Sequence, residues 1–124
     1  MSTSGPHRPR YFSDHEIACV CHQMITGLQM VLDDPAPSPP WLVYPPADQA
    51  IVATAVRAVK QGASPPQLHE LWMVLRAEQG YTFGLIKGDD THPNMIPWED
   101  LDRGQQLKDE LFQLVTAYMA SVQL

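Results

Sequence analysis

Apolar residues recur at helical spacing in four blocks of this chain, and proline or glycine separates the blocks. In the first block Ile17, Val20, Met24, Leu28 and Val31 fall three or four residues apart. Just ahead of them Ser13 can accept from the Glu16 amide while Glu16 reaches back, the two-way cap of a helix start. This helix stops near Asp33-Asp34, because Pro35, Pro37, Pro39 and Pro40 cannot continue it. A second helix is expected over about 47–61 with Ile51, Ala55, Val56 and Val59 inward and Gly62 as its stop. Ser64-Pro65-Pro66-Gln67 opens a third, with a serine cap and proline in the first turn. It carries Leu68, Leu71, Trp72 and Leu75 and ends at Gly80. A last helix over about 102–122 presents Leu107, Leu111, Leu114, Val115, Tyr118 and Val122.

The gaps predict the rest. Residues 1–12 have no periodicity and read as a flexible arm. Residues 35–46, PAPSPPWLVYPP, read as extended and polyproline-like, with Trp41, Leu42, Val43 and Tyr44 packing the segment onto the domain. The expected fold is mainly α with a small β-element, one domain over 13–124: an N-terminal helix and proline-rich loop at 13–46, then a unit at 47–124.

Length and charge narrow the function. A chain of 124 residues builds one modest core. Its 14 acidic and 8 basic residues give a formal net charge of −6. That surface repels polyphosphate, and no basic run could release counterions along a nucleic acid, so no nucleic-acid partner is expected. No apolar run reaches membrane-spanning length, and MSTSGPHRPR has no apolar signal region, so the expected setting is cytoplasmic, with no membrane partner. Cys19 and Cys21 form no disulfide framework, which fits a reducing compartment.

Candidate chemistry is sparse. His15, Cys19 and His22 share one helix face, with Cys21 pointing away, but tetrahedral zinc draws four ligands from more than one element and no matching pair stands elsewhere. Asp89-Asp90 with Glu99, Asp100 and Asp102 lacks the ligand spacing of a calcium loop. No metal or other cofactor is expected. No nucleophile motif is present, and the expectation is no enzyme; the alternative is a hydrolase using His92 with Asp89 or Asp90. The aromatic set stands apart: Trp72, Tyr81, Phe83 and Trp98, with Arg76 and Lys87 nearby and His92 between. Flat rings beside cations suit a planar base and its phosphate, though the same rings could simply be core.

The run from Leu68 to Leu101 resembles the RyR domain, the repeat named from ryanodine receptors and found singly in bacterial and phage proteins. The carrying residues are His69 and Trp72, Arg76, Gly80-Tyr81-Thr82-Phe83-Gly84, Lys87-Gly88-Asp89-Asp90, His92-Pro93 and Ile96-Pro97-Trp98, with Lys108-Asp109 in the last helix. The likeness covers about 64–122. It departs where Tyr81 and Trp98 replace the usual Trp and Tyr, and in a shortened loop before His92. The resemblance implies a helical repeat with a short β-element, preceded here by an extra helix. It also implies a non-catalytic module for a nucleotide-derived small molecule: an adenine nucleotide, an ADP-ribose derivative or a cyclic nucleotide. Trp72 would stack the base with Tyr81, Phe83 or Trp98, Arg76 and Lys87 would meet phosphate, and His92 would donate a hydrogen bond. A single repeat would rebuild the family's pairing as a homodimer, and a phage copy in the host cytoplasm would act as a sponge for a defence signal. The alternative is a protein–protein interaction module using the same aromatic surface.

Overall fold

Two capping boxes and a pair of proline-fixed entries decide where the helices begin. Ser13 Oγ accepts from the Glu16 amide at 3.1 Å while Glu16 accepts from the Ser13 amide at 2.8 Å, opening α1 (Asp14–Val31). Ser64 and Gln67 repeat the arrangement at the head of α3 (Pro65–Glu78), as the sequence predicts. α2 (Pro46–Lys60) starts on proline, whose missing N–H costs nothing in a first turn. α4 (Arg103–Ser121) is capped by the Asp102 carboxylate on the Gln105 amide. Gly62 and Gly80 follow α2 and α3 at φ 97° and 90°, the left-handed backbone that ends a helix.

The computed structural model describes residues 8–124. It is mainly helical, with two 3₁₀ turns at Trp41–Val43 and Trp98–Asp100 and a two-stranded parallel pairing of β1 (Thr82–Phe83) with β2 (Thr91–His92). Thr82 pairs with Thr91 and Phe83 with His92. Among the described residues no helix is long and apolar enough to cross a membrane.

α1 and α3 each pack on both α2 and α4, which also touch one another. The dry core fills one end of this bundle: Ile17, Ala18 and Cys21 of α1, Val56 and Val59 of α2, Leu68 at the start of α3, and Phe112 and Met119 of α4. Cys21, off the face shared by His15, Cys19 and His22 in the sequence, is fully buried with its thiol 3.3 Å from Thr116 Oγ1.

Several expectations need correction. The inward face of α1 runs through Ile17, Ala18, Cys21, His22 and Gln29, leaving Val20 and Val31 exposed. That of α4 runs through Phe112, Thr116 and Met119, leaving Leu114 and Tyr118 outside. The proline segment is not all extended: it closes in a 3₁₀ turn that buries Trp41 while Leu42 and Val43 face out. The flexible arm expected over 1–12 falls partly outside the described residues, at 1–7. Its last part is tied down, since Tyr11 bridges Gln123, the Arg10 carbonyl accepts from the Leu124 amide at 2.7 Å, and Phe12 packs on the core.

Candidate functional site

At the other end of the bundle the helices carry polar side chains inward, and a cavity of about 450 Å³ lies among them. All four helices wall it, and two loops close it: the strap of residues 33–40 and the loop joining β1 to β2.

The strap is stitched to α1. Asp33 takes a left-handed backbone (φ 57°), which turns the chain back, and the Gln29 side chain holds the Ser38 amide at 2.7 Å. His22 donates from Nε2 to the Pro39 carbonyl at 2.6 Å, so this histidine, once considered beside His15 and Cys19, is spent on the strap. Asp34 Oδ2 accepts from Lys87 Nζ at 2.6 Å, and the Ala36 carbonyl accepts from the same nitrogen at 2.9 Å. The strap and the β1–β2 loop are thereby locked together. Burial works against the Asp34 carboxylate, but its bonds to Lys87 and the Ala36 amide outweigh that and hold its pKa below the usual value.

One wall is aromatic. Trp72 has His69 running nearly parallel at 5.7 Å and His92 nearly perpendicular at 4.9 Å between ring centres. Tyr44 lies against His22 at 4.2 Å. Tyr81 is drawn in by the end of α3, its amide donating to the Arg76 carbonyl at 3.0 Å and its ring lying 5.2 Å below the Arg76 guanidinium.

Three cations line the same cavity, and they are not equivalent. Arg76 donates to Asp48 at 2.5 Å, to Gln79 at 2.8 Å and to the Tyr44 hydroxyl at 3.0 Å. Lys108 has no carboxylate within ion-pair range among the described residues; its one bond is to Gln105 Oε1 at 2.5 Å. Burial, then repulsion from Lys87, lowers its pKa. Gln105 also accepts from Asn94 Nδ2 at 2.8 Å, and the Asn94 amide donates to His92 Nδ1 at 3.0 Å. The neutral His92 ring therefore carries its proton on Nε2, where it is a donor. Burial, reinforced by Lys87, Lys108 and Arg76, pushes the His92 pKa down to about 4, so the ring is neutral at pH 7. Asp109 is the reverse case: burial, only partly opposed by Lys108, raises it to about 7. Its carboxylate lies 3.9 Å from His69 Nδ1, whose Nε2 donates to the Ile96 carbonyl at 2.7 Å.

Of the seven residues singled out in the sequence, Trp72, Arg76, Tyr81, Lys87 and His92 line this one cavity. Phe83 and Trp98 do not. Phe83 is 52 % exposed on β1, and Trp98 sits in its 3₁₀ turn, 6.2 Å from the His69 ring. Asp89 and Asp90 are exposed, and neither bonds to His92. Sequence reasoning missed Lys108, Asp109, Asn94, Gln105, Tyr44 and Asp48 as lining residues. Lys108 and Asp109 carried part of the resemblance without being read as site residues; with Gln105 they stand four, three and seven residues before Phe112, on its side of the helix.

Set against known proteins, the chain matches no family model and no curated relative.

Proposed function

We propose that this protein is a non-catalytic binding module for a nucleotide-derived small molecule. One observation carries the reading: the Trp72 indole and the ammonium groups of Lys87 and Lys108 line the same cavity. Its volume, about 450 Å³, falls in the ordinary range for small-molecule sites. Aromatic faces offer stacking, and the cations offer charge-assisted bonds. The neutral His92 is a hydrogen-bond donor with no bonded carboxylate among the described residues, an arrangement suited to recognition more than to proton abstraction. The likeness of the 64–122 segment to the RyR domain supports the same reading, and with it a role as a phage sponge that sequesters a host defence signal.

The test is thermal stability against ATP, ADP-ribose, cyclic ADP-ribose isomers and cyclic nucleotides. A ligand at about a hundred times its dissociation constant adds about 2.7 kcal/mol, a shift of several degrees for a chain of this size. Trp72→Ala is expected to weaken binding about tenfold or more, since base stacking contributes about 1–3 kcal/mol. Unchanged calorimetric affinity in a folded Trp72→Ala protein excludes the indole from the site.

A protein-interaction reading also has an observation in its favour. Leu42 is 93 % exposed and Leu85 86 %, with Val43 and Ile86 beside them also facing out. Such side chains suit a partner surface, a second copy of the chain included. Sedimentation at rising concentration tests for the homodimer, and a monomer at every concentration rejects it.

A further inference from the structure

We propose that the ligand carries a single negative charge and delivers it to Lys108, so that a phosphodiester such as a 3′,5′-cyclic nucleotide is preferred to an open nucleotide of higher charge. The inference rests on the nucleotide reading above and assigns its charged end.

Arg76, the cation that sequence reasoning would give to phosphate, is already paired with a carboxylate. Asp48 and Gln79 take both hydrogens of its Nη1 and Tyr44 one of its Nη2, which leaves Nε–H and one Nη2–H, but its charge is met by the Asp48 carboxylate. A phosphate at its remaining hydrogens would meet a cation whose charge Asp48 already offsets. Lys87 is likewise paired with Asp34 and capped by the Ala36 carbonyl, which leaves one of its three hydrogens. Lys108 has spent one hydrogen on Gln105 and faces no paired carboxylate, so two donors remain. Across the cavity three cations face the carboxylates of Asp34 and Asp48, which leaves about one positive charge before Asp109 is counted. A second or third ligand charge would lie in a partly buried site with no cation to meet it, at a steep desolvation cost.

The donors near Lys108 complete the subsite. The bonded chain from His92 through Asn94 and Gln105 to Lys108 holds that ammonium in place, and the neutral His92 Nε2–H lines the same cavity.

The test is calorimetric titration of the full chain with adenosine, cyclic AMP, AMP and ATP, and with the matching guanosine series. The expected order within a series puts the cyclic monophosphate tightest, with affinity falling from AMP to ATP. In Lys108→Gln the cyclic nucleotide is expected to lose about tenfold or more, the contribution of one hydrogen bond to a charged group, while the uncharged nucleoside binds as before. Retained nucleoside binding also reports that the variant is folded. If ATP binds as tightly as the cyclic nucleotide, or Lys108→Gln leaves the cyclic nucleotide unaffected, this inference falls and the nucleotide reading stands. If no member of either series binds, this inference falls, and the thermal panel with ADP-ribose and cyclic ADP-ribose isomers decides the nucleotide reading.

Discussion

Asp109 and His92 face the same cavity, and burial shifts them in opposite directions. The Asp109 carboxyl moves from 3.8 to about 7, so at intermediate pH the folded protein holds a proton that the unfolded chain has lost. Its contribution to stability is therefore most favourable at low pH and is lost as pH rises through that window. His92 moves from 6.5 to about 4, so there the unfolded chain holds a proton that the fold refuses. Its contribution is complete above 6.5 and is lost as pH falls towards 4. The two slopes oppose each other over nearly the same range and largely cancel. Removing one partner unmasks the other: relative to the parent, Asp109→Asn should gain stability as pH rises from about 4 to about 7, and His92→Asn should lose it. Urea unfolding at stepped pH reads both differences. A flat Asp109→Asn difference would mean that the carboxyl titrates as it does in water. Trp72, Tyr81 and His92 were legible at this scale because rings beside a glycine-punctuated loop are conspicuous. Lys108 and Asp109 were not, because a charged pair on a helix reads as a solvated face until its neighbours are known to point inward.

Helix starts were easy to read and helix faces were not. Ser13 with Glu16 and Ser64 with Gln67 are local signals, satisfied within four residues, and both form. The inward stripes of α1 and α4 depend on what lies across the bundle. Each begins or ends at the cavity, where its inward residues are His22 and Gln29, or Gln105, Lys108 and Asp109. A search for apolar periodicity skips such positions and settles on the wrong face, as it did with Val20 and Val31 and with Leu114 and Tyr118. The β1–β2 pairing was foreseen only as a small extended element, because its parallel register depends on a tight loop. Thr91 Oγ1 donates to the Ile86 carbonyl at 3.0 Å, and Gly88 donates its amide to the Thr91 carbonyl at 3.0 Å. A Cβ at Gly88 would lie 2.7 Å from that hydroxyl oxygen. Gly88→Ala is therefore expected to destabilise by about 1–3 kcal/mol, the usual effect of overpacking. In a Thr91→Ala background the oxygen is gone, and the added cost of Gly88→Ala should shrink. A double-mutant cycle by chemical denaturation measures that coupling, and strict additivity would mean the loop relaxes around the new methyl.

At the scale of the whole molecule, one end of the bundle is packed and the other is held open by polar groups. That division is consistent with one core serving as scaffold for one site, and it explains why a chain with so few chemical motifs still gathers ten ionisable side chains around a single cavity. Far from that cavity, Tyr11 and Gln123 bridge and the Arg10 carbonyl receives the Leu124 amide. The path from Arg10 to Leu124 thus returns almost to its origin, like a ring with one small gap. A unit whose entry and exit lie side by side can be spliced into a surface turn of another chain without prying that turn apart. Grafted in this way, the bundle would hang from its host by one narrow attachment, leaving the cavity at its own surface.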